Sequence, residues 1–137
     1  VDAIAERIAS LSSEEARTAV EKLFLSGSLF RCFRAPPSPE EADIVAALHG
    51  SARELFLEYR SVETNSIRLH RGDIRPYPRG LGLIAIGEDL EHAIVVVEQT
   101  TGSLAVIEDD GQPNPDLSDS YPSIWHYLLF IAETSER

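Results

Sequence analysis

Residues 93–108, AIVVVEQTTGSLAVIE, restrict the fold more than any other stretch of this chain. Two apolar, β-branched runs flank Gln-Thr-Thr-Gly, the pattern of a hairpin. Setting Glu98 opposite Ser103 puts Val97 against Leu104, Val96 against Ala105, Val95 against Val106 and Ile94 against Ile107. Side chains alternate across a strand, so this register makes both faces of the hairpin apolar. Such a hairpin belongs at the centre of a sheet or is covered on both sides. Acids stand outside it: Glu88, Asp89 and Glu91 before the first strand, Asp109 and Asp110 after the second. Because the strands run antiparallel, those two segments meet at one end of the hairpin, and the five carboxylates are expected to form one patch.

The flanking segments supply the other layer. Ile4, Ile8 and Leu11 have helical spacing in residues 2–11, and Ser12-Ser13-Glu14-Glu15 reads as a capping box for a second helix ending at Gly27. Residues 28–34 read as a strand. Ser38-Pro39-Glu40-Glu41 starts a third helix, expected to run to Gly50, and residues 52–60 read as a further helix or a strand, with helix favoured. Alternation from Ser66 predicts a strand with Ile67, Leu69 and Arg71 on one side and Arg68 and His70 on the other, before a turn at Pro76-Tyr77-Pro78. Another strand is expected over residues 81–86, closed by Gly87. Residues 118–122 are expected to start a last helix carrying Ile124, Trp125, Leu128, Leu129 and Ile131. The fold class that follows is α+β: N-terminal helices, a mainly antiparallel sheet with a central hairpin, and a closing C-terminal helix.

At 137 residues the chain matches one ordinary domain. The lone Cys32 excludes an internal disulfide and points to a reducing compartment, so the expected location is cytoplasmic. The apolar runs fall well short of the ~20 residues that a membrane helix needs. Net charge is −11, unevenly placed: residues 80–137 hold eleven acids against Arg137 alone, while residues 53–79 hold six arginines against four acids. An acidic half repels a polyanion, which argues against direct nucleic-acid binding and for a basic protein partner.

Tests for chemistry return structural readings. Gly80, Gly82 and Gly87 enter a strand instead of joining strand to helix, unlike a dinucleotide loop. The acids from Glu88 to Glu91 with His92 lack a convergent ligand pattern, and Pro113 and Pro115 interrupt any calcium-loop spacing in residues 109–119. His49, His70, His92 and His126 stand in no catalytic motif. His49 beside Gly50 suits a helix C-terminus, and His126 lies on the last helix. Cys32, with phenylalanines nearby on its strand, reads as a buried small hydrophobe. The expectation is therefore no catalytic residue, no metal and no cofactor.

In order along the chain, the Ser38-Pro-Glu-Glu helix, LFLEYRS, LGLIAIGEDLEHAIVVVEQTTGSLAVIED and SDSYPSIWHYLLFI resemble the SUKH superfamily of cell-wall-regulator-like and Syd-like domains. The resemblance covers residues from about 38 to 133; the Leu-Pro usual in the early helical region is absent, and Glu88-Asp89 replaces a glycine-rich pair. It implies a single SUKH-like domain over residues 1–137, with 1–35 as an N-terminal helical extension. It also implies a non-catalytic protein-binding module, many bacterial members being immunity proteins that neutralise a toxin domain encoded beside them. The partner expected on both counts is a basic protein, with Glu88, Asp89, Glu91, Asp109 and Asp110 as the contact patch, and the protein itself a monomer or weak dimer. The alternatives are a small enzyme with a His/carboxylate or Cys32 site, and a general adaptor domain.

Overall fold

The computed structural model describes residues 2–77, 82–89, 93–107 and 120–134. Two helices open the chain, α1 (Asp2–Ala9) and α2 (Ser13–Ser26). The capping box at the start of α2 is complete: the Glu15 amide donates to Ser12 Oγ at 3.1 Å and the Ser12 amide to Glu15 Oε1 at 2.9 Å. Gly27 ends α2 with φ 66°, a left-handed position that suits glycine. After β1 (Arg31–Arg34), the same device starts α3 (Pro39–Ala46), with Ser38 and Glu41 exchanging hydrogen bonds.

Several boundaries differ from the sequence expectation. The third helix stops at Ala46 and not Gly50; Gly50 instead opens α4 (Gly50–Glu58) with φ 61°. Arg53 donates to the Ala46 carbonyl at 2.6 Å, closing the earlier helix from outside. The helix expected through residue 60 gives way at Tyr59, where β2 (Tyr59–Glu63) begins. Pairing with β1 on one side and β3 (Ile67–His70) on the other outweighs the helical spacing there. A short 3₁₀ turn (Arg71–Asp73) leads to β4 (Arg75–Pro76). The strand expected to close at Gly87 runs through it, as β5 (Leu83–Asp89). Gly87 is a close-approach position, since a Cβ there would lie 2.4 Å from the Arg68 carbonyl oxygen.

The hairpin is β6 (Ile94–Glu98) with β7 (Leu104–Ile107), and all four predicted cross-strand pairs are present. Its turn closes on Gly102, φ 75°. Next come β8 (Ser120–Tyr121) and α5 (Ile124–Thr134); the last helix thus starts later than expected because Ser120 and Tyr121 pair with β7. Among the described residues eight strands form one antiparallel sheet, ordered β1-β2-β3-β5-β6-β7-β8, with β4 beside β5.

Alternate hairpin residues go to two different cores. Ile84, Ile86, Val95, Val97 and Leu104 join the larger one, with Ala16 and Val20 of α2, Leu55 and Phe56 of α4, and Trp125 and Leu128 of α5. Leu83, Ala85, Val96, Ala105 and Ile107 form a smaller cluster with Tyr77. Ile124 through Leu129 are all buried, so α5 is enclosed on every side. It packs on α1, α2 and α4. Residues 1–35 are integral to this arrangement: Ile8, Ala16, Val20 and Phe30 are core, and β1 pairs with β2.

Arg71 organises the region where α3 and α4 meet. Its side chain is wholly buried, and its guanidinium donates to the carbonyls of Ala35, Pro36 and Phe56 and to Glu41 Oε1, at 2.6–3.2 Å. Glu41 serves both the capping box and this arginine. Those hydrogen bonds, the Ser38 backbone first, hold its carboxyl below the usual 4.5.

Candidate functional site

Glu88 and Asp89 end β5, next to the start of β6 and the end of β7, where Ile94 faces Ile107. Glu91, Asp109 and Asp110 lie outside the described residues, as does His92.

The two described acids play different parts. Glu88 is exposed and aligned with Arg68 of β3, which is aligned with Glu63 of β2, which is aligned with Arg31 of β1. Four neighbouring strands thus present Arg, Glu, Arg, Glu across one face, each charge opposite its complement. Arg68 Nε lies 3.7 Å from Glu63 and 3.7 Å from Asp73. Arg31 donates to the Thr64 carbonyl at 3.0 Å and to Asn65 at 3.2 Å. Thr64 Oγ1 in turn accepts from the Ser66 and Ile67 amides, which holds the β2–β3 turn. These groups line a shallow cavity of about 330 Å³ with Glu88 and Asp89 at one side.

Asp89 is half-buried and turned to local structure. Its Oδ1 accepts from the Ala93 amide at 2.9 Å while its own amide donates to the Ala93 carbonyl at 3.0 Å, pinning the ends of the connection to β6. Burial, and then the Asp89 charge, push the Tyr127 hydroxyl well above the usual tyrosine value. The sequence expectation placed Arg68 on a strand but counted neither it nor Arg31 among the site residues. The signal for them was present in the alternation from Ser66, but the pairing partners were unknown until β2 was recognised as a strand.

The other chemical candidates have structural partners. His126 is 1% exposed; Nε2 faces the Leu11 carbonyl oxygen at 2.8 Å, so that nitrogen is the donor, and Nδ1 lies 2.5 Å from Ser123 Oγ. Both ring nitrogens are engaged. His70 Nδ1 accepts from the Gly72 amide at 2.9 Å. His49 corrects the expectation of a helix C-terminus: it precedes α4, at the N-cap position, without a side-chain cap bond. Cys32 is half-buried on the edge strand and not fully buried, and desolvation pushes its thiol up to about 11. At that value the thiolate needed for nucleophilic attack is scarce at neutral pH. Trp125 is 2% exposed, packed in the larger core with the Arg17 guanidinium 5.2 Å from its ring centroid. Among the described residues, no group of three or more His, Cys, Asp or Glu side chains is arranged to hold a metal ion. No helix among them is long and apolar enough to cross a membrane.

No protein-family model matches the chain, and comparison with curated proteins and with solved structures likewise finds no match.

Proposed function

We propose that the chain is a non-catalytic protein-binding module of the SUKH type, acting in the cytoplasm as an immunity protein that neutralises a basic toxin domain. What supports this reading is that β5 ends in the exposed Glu88 beside the paired Ile94 and Ile107, the strand ends that precede and follow the sequence's acidic stretches. In a chain of net charge −11, that end is the natural landing surface for a basic partner. Glu88 is already opposed by Arg68, so most of the attraction belongs to Glu91, Asp109 and Asp110. Asp89 contributes charge and also holds Ala93, so its neutralisation is best made with asparagine, which keeps an acceptor oxygen.

The test begins with co-purification from the native host, and with the product of the adjoining gene. Association kinetics are then measured at two salt concentrations for the wild type and for the variant Asp89→Asn, Glu91→Gln, Asp109→Asn, Asp110→Asn. The expected result is a slower association and a shallower salt dependence, with the melting midpoint nearly unchanged. An unaltered on-rate and salt slope would reduce these acids to solubilising decoration.

A further inference from the structure

A second recess lies at the opposite end of β5 from Glu88. Ile44 of α3 and Ala47 just after it, Ile74 and Pro76 before and in β4, and Leu83 and Ile84 of β5 wall a cavity of about 360 Å³. That volume falls within the range of small-molecule sites, roughly 300–1,000 Å³. The lining is mostly apolar, and Ile44 is left 38% exposed on it. Its polar side chains are the buried Tyr77 and, at the border, Arg75 and Gln99, both exposed. Arg75 spends one N–H on the Asp73 carbonyl at 3.0 Å, and among the described residues no carboxylate lies within 4.0 Å of its guanidinium. Gln99 uses its backbone amide on Gly82, and among the described residues no hydrogen bond involves its carboxamide.

An apolar hollow with an uncommitted guanidinium and a carboxamide at its border matches one ligand chemistry. We infer that this cavity binds a small organic acid, an apolar body of phenyl or short alkyl size bearing one carboxylate. The body replaces water against Ile44, Ile74 and Leu83, and the carboxylate accepts from Arg75 and Gln99. The protein's overall negative charge does not prevent this. Along β5, Leu83 and Ile84 of the cavity stand four to six residues from Glu88 and Asp89, roughly 13–20 Å of strand, and the Debye length at physiological salt is about 8 Å. This inference is independent of the toxin-binding proposal, because neither the residues nor the end of the sheet is shared.

The experiment is an amide chemical-shift titration of the full chain with 4-phenylbutyrate, with 4-phenylbutanol as the neutral match. Saturable shifts are expected at Ile44, Ala47, Ile74 and Leu83 at millimolar ligand. The acid should bind about fivefold to tenfold tighter than the alcohol, the range one partly exposed charged hydrogen bond supplies. Arg75→Gln should erase that preference, and Ile44→Asp should weaken both ligands, with thermal melting showing each variant folded. Absence of saturation, shifts centred elsewhere, or equal affinity for acid and alcohol in the wild type would overturn the inference. A short peptide ending in a free leucine carboxylate serves as a further arm. If it bound tenfold tighter than phenylbutyrate, the small-acid assignment would fall in favour of a polypeptide terminus.

Discussion

Replacing Arg71 by methionine keeps a long, unbranched side chain and removes every hydrogen bond that the guanidinium makes. Swapping a complete buried ion pair for apolar groups is often neutral, because both charges leave together. Here the acceptors stay behind. The carbonyls of Ala35, Pro36 and Phe56 are backbone, and the Glu41 carboxylate remains, so the substitution strands four acceptors around a fully buried position. Removing one partner of such a network costs about 3–5 kcal/mol. For a domain whose whole stability is about 5–15 kcal/mol, that is a third or more. At 2–4 °C per kcal/mol for a chain of this size, the melting midpoint should fall by roughly 10 °C. Arg71→Lys should recover only part of the loss, since one ammonium with three donors cannot replace a planar fork reaching three carbonyls and a carboxylate. Glu41→Gln separates the ion pair from the cap: glutamine still completes a capping box, so the loss should be about 1 kcal/mol. Urea unfolding with thermal melting is the assay, and Lys22→Met, at an exposed position of α2, is the control. A methionine variant within about 1 kcal/mol of the wild type would show that other groups satisfy these carbonyls and that the network is dispensable.

Gly87→Ala should destabilise by about 2–3 kcal/mol, because the added carbon would lie 2.4 Å from the Arg68 carbonyl oxygen and 2.6 Å from Leu69 Cδ2; an unchanged urea midpoint would mean that β3 and β5 separate freely. The capping glutamates predict the acid limb. Glu15 and Glu41 have carboxyls lowered from 4.5 by their serine partners, so their contribution is complete above that value and is lost as pH falls through the lower folded values. The double variant Ser12→Ala, Ser38→Ala should therefore melt below the wild type near neutral pH, with the gap narrowing as the pH drops towards about 3. A gap independent of pH would contradict the assignment.

The hairpin was readable because two constraints coincided. A Gly-containing turn set its register, and unbroken apolar runs on both strands announced two covered faces; the structure accordingly splits Val95 and Val96 between two clusters. Capping boxes at Ser12 and Ser38 were equally legible, being local hydrogen-bond chemistry within four residues. The β2 strand was not. ELFLEYR has apolar residues at spacings that suit a helix, and only the partners on β1 and β3, distant in sequence, make Tyr59–Glu63 extended. Strand alternation placed Arg71 with Ile67 and Leu69 on the inner side, yet its role depends on carbonyls some 15 and 35 residues away. Of the acids expected at the hairpin's end, Glu91, Asp109 and Asp110 lie outside the described residues, and the cross-strand arginine that opposes Glu88 follows from tertiary register alone.

The enclosure of α5 ties the two extremes of the chain together. His126 reaches Leu11 across 115 positions, and Arg7 pairs with Glu133 across 126. During synthesis, α1 and α2 leave the ribosome long before the helix they pack against has been translated. Their apolar faces, Ile8, Ala16 and Val20 among them, must wait uncovered while some hundred residues are added. Because closing so large a loop is slow, the nascent protein is at its most vulnerable to chaperone capture and to proteolysis just before α5 docks.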